Sequence, residues 1–575
     1  DKRGVDPLQS ELQALDWKTT GSTVTKVVAE MHKGGLAPLF NPYIGQDDKN
    51  SSRNVLFLTQ SGLSLPEKSY YEKDPNTDNV LQAFRTLITT CFTLIGRQDA
   101  QVAADAVIKF ETLLANITVS RADLRDPEKT YNVRTLPELT EQFPYFGWND
   151  WLSILYPDAT QKDAIQEVVV SVPTHLSSLS TLLTATEDSV LLNYLQWQKV
   201  YHAITYLGKD FKEAYFLYKK ALYGVEKESD RWKHCLARVE GTYGFAVGKL
   251  FLNAKFGPES RKIAKSLIGD IKSSFKSKLP DLSWMDEATR VKAADKADRV
   301  IEKIGYPDWV ENNTKLDEYY AKLVPPTDKY YETMMNARLW SEQKNLDDLF
   351  KMPDKKKWEM NPQTVNAYYS PSNNEIVFPA GILQPPFFQA SFPYSLNFGA
   401  IGVVMGHELT HGFDDQGARY DADGNLKTWW SKSVQDNFKK QTTCVENQYS
   451  NYTVLGPNEE TYHVNGKLTL GENIADNGGI AEAFAAYQAY IKTNGKENKI
   501  PGLDLTPDQL FFVGFAQVWC GSKRPRGVKA GVLTDPHSPH QWRVKGTVSN
   551  SKDFARVYKC PLGSPMNPVD KCLVW

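Results

Sequence analysis

Met405-Gly406-His407-Glu408-Leu409-Thr410-His411-Gly412-Phe413-Asp414-Asp415 is the stretch that decides how the rest of the chain is read. Two histidines stand four residues apart, and a glutamate follows the first. On a helix, positions i and i+4 share one face, one turn apart. His407 and His411 can then offer two ring nitrogens to one tetrahedral zinc, with Glu408 beside the metal where it can take a proton from a water. Asn397 to Gly412 reads as a buried helix, because Ile401, Val404, Met405 and Leu409 recur at helical spacing. The competing reading of the motif alone is a helix with two structural histidines.

A catalytic zinc needs a third protein ligand and one open position. Gly471-Glu472-Asn473-Ile474-Ala475-Asp476-Asn477-Gly478-Gly479 offers one, since Glu472 and Asp476 are again i and i+4. Glu472 could ligate the metal, while Asp476 accepts the spare ring N–H of a ligand histidine and fixes its tautomer. Asp414, three residues beyond His411, could do the same work. Gly471 is expected to open this helix and Gly478-Gly479 to end or kink it. A solvated acidic face is the alternative, but glycine flanks and an Asn-Ile-Ala interior do not suit one. A third cluster is Asp535-Pro536-His537-Ser538-Pro539-His540-Gln541-Trp542-Arg543. Peptide hydrolysis needs a donor to the developing oxyanion. His537 could supply it and Arg543 could hold a substrate carbonyl; an ordinary surface turn is the rival.

Composition narrows the class. The chain has 575 residues, 41% hydrophobic and 24% charged, which is the balance of a soluble globular protein with two or more lobes. Its 14 Trp and 28 Tyr argue for large cores and against disorder. A net charge of −2 gives no electrostatic case for nucleic acid or a membrane surface. No apolar run approaches the roughly 18–20 residues that span a bilayer. The start, Asp1-Lys2-Arg3-Gly4, has neither an initiator Met nor a signal-like segment, and suggests a trimmed chain with any signal or membrane anchor upstream of Asp1. Sequons at Asn50, Asn116, Asn312 and Asn451 lean towards secretion and glycosylation. The six cysteines, Cys91, Cys235, Cys444, Cys520, Cys560 and Cys572, include no close CxxC pair, so they do not form a zinc finger.

The first half reads mainly as helices, at Val80 to Leu94, Ala100 to Ile117, Val190 to Leu207 and Arg231 to Phe251. Pro280 to Met285 opens a further helical run, Asp286 to Ile304, with Ser283 available as a cap. Near residue 360 the texture changes. Gln363 to Tyr369, the turn Ser370-Pro371-Ser372-Asn373-Asn374 and Glu375 to Phe378 read as strand, turn, strand. The expected division is a predominantly helical lobe over 1–335, whose early residues could join the other lobe, and a catalytic domain over 336–575.

With these clusters in view, the chain resembles the neprilysin and endothelin-converting enzyme family of zinc metallopeptidases. Val365 to Tyr369 and Ile376 to Phe388 resemble its substrate-edge strand, Gly406 to Asp415 its zinc helix, Gly471 to Gly479 its third-ligand helix and Asp535 to Arg543 its oxyanion loop. Lys220 to Gly224 and Ile304 to Pro307 extend the likeness into the helical half. The resemblance implies a mainly α, two-lobed fold with a smaller β component. One lobe would be a thermolysin-like (gluzincin) catalytic domain, and a helical lobe would enclose a chamber with it. It implies one zinc per chain on His407, His411 and Glu472, Glu408 as base, Asp414 and Asp476 behind the ligands, His537 at the oxyanion and Arg543 on the substrate backbone. Asn366 and Ala367 would pair with an extended peptide, and Ile382, Phe387, Val403, Val404 and Trp519 would line an apolar pocket. In isolation those five would be read as core.

The implied activity is an oligopeptidase cutting on the amino side of large hydrophobic residues, either secreted or the ectodomain of a type II membrane protein. Its oligomeric state stays open. The resemblance also implies a Cys444–Cys572 disulfide, with Cys235, Cys520 and Cys560 pairing to cysteines upstream of Asp1. Departures are Glu72-Lys73, where well-known members carry a cysteine, the unmatched Cys91, read as a free buried thiol, and the Cys572-Leu573-Val574-Trp575 end. Two rivals are weaker. An inactive binding protein would be expected to have lost Glu408 or a ligand, and a structural zinc site closes all four positions with Cys or His. An exopeptidase stays open.

Overall fold

Helix dominates the computed structural model, which describes residues 3–575, with 58% of the chain helical and 9% in strands. The chain forms two compact units. One comprises the chain up to Asp47, Ser52–Ser229 and Ala321–Pro353; the other comprises Asp48–Ser51, Asp230–Tyr320 and Asp354–Trp575. The division expected at 335/336 is therefore corrected. Residues 230–320 belong with the histidine-bearing unit, and 321–353 return to the first. Helical periodicity reveals which face of a helix is buried but not which core buries it. Among the described residues no helix is long and apolar enough to cross a membrane.

The first unit holds the expected helices, observed at Asn79–Leu94, Ala100–Asn116 and Asp188–Ala203. It also holds a four-stranded sheet that the helical reading missed, in the order Phe40–Asp47, Asn50–Gln60, Glu167–Val170, Asn132–Thr135. Glu167–Val170 runs parallel to the second strand, with Phe57 opposite Val169, and antiparallel to the last. Two of these strands have only 4 residues, and the two longer ones, of 8 and 11, do not alternate cleanly between buried and exposed positions. The buried carboxylate of Glu111 accepts from Ser64 N and Oγ, Tyr71 Oη and Gln198 Nε2. Burial nevertheless pushes this carboxyl up to about 7.

In the second unit the helix Arg231–Lys255 extends beyond its expected end. The run read as one helix to Ile304 is two elements: a helix, Glu287–Asp298, capped by Asp286 rather than Ser283, and a strand, Ile301–Gly305. Ile301–Gly305 pairs in parallel with the fully buried strand Glu375–Pro379, whose other edge pairs antiparallel with Tyr368–Ser370. The strand expected from Gln363 starts only at Tyr368. Residues 363–364 instead cross over Gly381, where a Cβ would lie 2.3 Å from the Gln363 carbonyl oxygen and 2.5 Å from that of Thr364.

The helix expected over Asn397 to Gly412 is a short turn of α-helix, a π-type turn at Phe398–Gly402 and the helix Val403–His411. Against it lies Leu470–Asn494, one continuous helix of 25 residues. Gly478 and Gly479 neither end nor kink it. They let the backbones approach: a Cβ on Gly479 would lie 2.6 Å from His407 N and from the Val403 carbonyl oxygen. A Cβ on Gly406 would meet Gly479 Cα at 2.8 Å. The sulfurs of Cys444 and Cys572 form the expected disulfide. Cys235 and Cys520 are exposed thiols, Cys560 is partly exposed, and Cys91 is a buried thiol pushed up to about 12 by burial.

Two outcomes follow from this packing. Gly479→Ala should destabilise the second unit by about 3 kcal/mol or more, because backbone rather than a flexible side chain occupies the space; a melting temperature equal to wild type would refute the close-approach account. Glu111 binds its proton more tightly folded than unfolded. Its stabilisation is therefore present below about pH 4.5 and lost as pH rises through about 7, an effect of about 3 kcal/mol. Amide protection in Ala100–Asn116 should weaken accordingly between pH 5 and 7.5, and Glu111→Gln should flatten that dependence.

Candidate active site

Crossing of the two helices brings together the residues that sequence places 61 or more positions apart. His407 and His411 occupy one face of Val403–His411, and Glu472 lies in the first turn of Leu470–Asn494. His407 Nε2 is 3.0 Å from His411 Nε2 and 3.1 Å from Glu472 Oε2, and His411 Nε2 is 3.6 Å from the same oxygen. Tetrahedral zinc with bonds of about 2.0–2.2 Å requires ligand atoms about 3.4 Å apart. Among the described residues these three side chains form a group able to hold a metal ion.

The tautomers agree with a metal site. His407 Nδ1 lies 2.8 Å from Asp476 Oδ1, and His411 Nδ1 lies 2.8 Å from Asp414 Oδ2. A carboxylate can only accept, so each Nδ1 carries a proton and each neutral ring turns its Nε2 lone pair towards the other and towards Glu472. Glu472 Oε2 is buried and has no hydrogen-bond donor among the described residues. Three acceptors facing one another in a largely buried place are suited to a cation between them. The donor set therefore fits a zinc ion.

The surrounding polar groups are held by the same helix. Arg543 donates from Nε to Asp476 Oδ2 at 2.8 Å and from Nη2 to Oδ1 at 2.6 Å. Burial pushes the Asp476 carboxyl up, but Arg543 and His407 outweigh it and bring it to about 2. Asp414 Oδ1 accepts from the backbone N–H groups of Gln416 and Gly417, which fixes the carboxylate that orients His411. Glu408 is 6% exposed, next to both histidines along the helix, and burial raises its carboxyl above the ordinary range. His537 reaches the same place from its loop, with Nε2 3.3 Å from Glu472 Oε2.

Other partners were missed in the sequence. Asp535 accepts from His537 N and Nδ1 at 2.9 and 2.8 Å, and Ser538 Oγ donates to Asn473 Oδ1 at 2.7 Å. Together with Arg543–Asp476 these bonds tie the loop to the glutamate helix. Asn473 carries no signal of its own in the sequence beyond its place beside Glu472. Thr410 and Glu482 form a further buried contact between the two helices.

Of the expected apolar pocket, Ile382 and Val403 are buried in the core, with Phe387, Val404 and Trp519 packed against it and partly exposed. The Arg543 guanidinium lies 3.8 Å over the Trp519 ring, so Trp519 is also a platform for that cation. Asn366 is exposed and Ala367 buried, both immediately before the edge strand Tyr368–Ser370 rather than inside it. All four sequon asparagines, Asn50, Asn116, Asn312 and Asn451, are exposed.

Comparison with known proteins agrees with this geometry. Two models described as peptidase family M13 match, an N-terminal one over residues 1–307 and a second over residues 366–574. The chain is 44% identical over 582 residues to human endothelin-converting enzyme 1, spanning 99% of this chain and 74% of that protein. It is 43% identical over 548 residues to an endothelin-converting enzyme homolog of Locusta migratoria, spanning 94% of this chain and 75% of that protein. The crystal structure of the Mycobacterium tuberculosis zinc metalloprotease ZMP1 with an inhibitor superposes with a TM-score of 0.88 at 32% identity, covering 97% of this chain and 83% of that one. The chain belongs to peptidase family M13 and is a zinc metalloendopeptidase.

Proposed function

We propose that the protein cuts oligopeptides on the amino side of large hydrophobic residues, with one zinc per chain held by His407, His411 and Glu472. The convergence of three acceptor atoms, from buried His407 and the partly exposed His411 and Glu472, beside the buried carboxylate of Glu408 carries this reading. Zinc bound there supplies a Lewis acid that brings the pKa of a water to about 7. Glu408 accepts the proton of the attacking water and returns it to the leaving amine, and its burial suits a group that must both take and give a proton near neutrality. Oxyanion stabilisation falls to His537. Because its Nδ1–H is directed at Asp535, donation from Nε2 requires the doubly protonated ring.

Arg543, held in a bidentate bond by Asp476, has Nη1 left to bind a substrate carbonyl. An extended peptide would add to the edge strand Tyr368–Ser370 through Asn366 and Ala367, which recognises backbone and tolerates sequence. Preference for a large apolar residue after the cut would come from Ile382, Phe387, Val403, Val404 and Trp519. An extracellular setting, as a secreted protein or a membrane-held ectodomain, is supported by the Cys444–Cys572 disulfide and the exposed sequons. Loss of mass from the native protein on glycosidase treatment would test it.

A quenched fluorescent peptide with Phe or Leu after the intended cut tests the catalytic reading. Activity should vanish with a chelator and return with zinc, and Glu408→Gln should lower kcat by about 10²–10⁴-fold while zinc content stays at one per chain. Replacing Phe by Asp or Gly should lower kcat/KM by at least about tenfold. Full activity in Glu408→Gln would sink the assigned base, and indifference to the residue after the cut would sink the pocket.

A further inference from the structure

Lys296 lies in the helix Glu287–Asp298 and is 1% exposed. Its ammonium donates to three backbone carbonyls, those of Gly412, Gly417 and Tyr420, each at 2.7 Å. Three donors and three acceptors satisfy the group completely, which is how a buried ammonium can be tolerated. Its charge is also sheltered by the ring faces of Phe413 and Trp429, at 5.4 and 5.9 Å. Burial draws Lys296 down to about 7, against the pull of Asp414 and Asp421.

The three carbonyls belong to one segment, the turn that follows the histidine helix. Gly412 directly follows His411, and Gly412 and Gly417 bracket Asp414. Within the bracket, Asp414 Oδ1 receives the N–H groups of Gln416 and Gly417, while Oδ2 receives His411 Nδ1–H. Lys296 thus bonds the backbone on both sides of Asp414, and Trp575 Nε1 adds a bond to the Phe413 carbonyl on one side. We infer that Lys296 is a positioning residue for the metal centre: by clamping the 412–420 turn from both sides it holds Asp414, and through Asp414 the ring of His411. This inference rests on His407, His411 and Glu472 being the zinc ligands.

A satisfied Lys296 limits the ways the turn can relax when His411 rotates off its ligating orientation. Removing the ammonium takes a donor from each of three carbonyls, of which Gly417 keeps the backbone N–H of Tyr420, and frees the turn to repack. Loss of a partner that orients a ligand histidine typically weakens metal binding 10–100-fold. Lys296 acts one step further out, so an effect of about tenfold is expected.

The test measures zinc release to a chromophoric chelator from the full-length holoenzyme, and the visible spectrum of the cobalt-substituted protein. Wild type should release zinc most slowly, Lys296→Gln should be intermediate because an amide restores two donors, and Lys296→Met should release it about tenfold faster. The cobalt bands should shift in both variants. Phe554→Leu, which loosens the same unit away from the turn, should keep wild-type release and bands. Equal release from wild type and Lys296→Met overturns the inference, as does equal acceleration in Phe554→Leu. Should Lys296→Met fail to fold, Lys296→Gln with wild-type release and spectrum overturns it alone. A wild-type chain that takes up no zinc would instead sink the ligand assignment itself, and this inference with it.

Discussion

Close contact between two helix backbones is the constraint on which the site depends. Gly406 on one helix meets Gly479 on the other, and no side chain fits between them. A separation wider than this contact, such as the ordinary distance of about 8–10 Å between helix axes, would draw Glu472 away from His407 and His411. The glycines cost helix propensity, roughly 1 kcal/mol each relative to alanine; Gly406 lies inside a helix of 9 residues and Gly479 inside one of 25. That expense is sensible only because the crossing brings three ligand atoms within bonding reach of one ion.

Electrostatics around the crossing follow from the same burial. The site gathers two histidines, two carboxylates that accept from them, the carboxylates of Glu472 and Glu408, and one arginine. Each orienting carboxylate is answered by donors: Asp476 by Arg543, Asp414 by two backbone amides. A buried charge without such partners would be neutralised or would destabilise the fold. What remains unanswered is the cluster of acceptors at the ligand position, and a metal ion completes it. Ser538–Asn473 and Arg543–Asp476 extend the arrangement to the loop that carries His537, so the Glu472 helix and that loop form one hydrogen-bonded assembly.

Legibility in the sequence varied with how local the signal was. The i, i+4 pairs His407/His411 and Glu472/Asp476 were readable because a helix turns spacing into a shared face. Long amphipathic helices were readable for the same reason. Gly478-Gly479 was misread as a helix end, since its purpose lies on a partner helix. Ile301–Gly305 reads as the tail of a helix because five residues with two isoleucines do not separate strand from helix without the neighbouring strand. Gln363 to Ala367 has strand-forming residues but is required to cross Gly381. Asp286 took the cap expected of Ser283.

The sequence by itself determined the residue types of the centre: two histidines one helical turn apart with a glutamate beside the first, and a second helix bringing Glu472 and Asp476. It also carried the family resemblance through motifs whose residues are local in the chain. Tertiary structure alone decided the membership of each unit, the run of the 25-residue helix through its glycines, and the placing of Asp535, Ser538, Asn473 and Lys296 around the site. The reason is physical. Spacing along a helix is set by backbone geometry that every sequence shares, whereas a partner across a core is chosen by shape and by the need to satisfy each buried polar group, and neither is written in the order of residues.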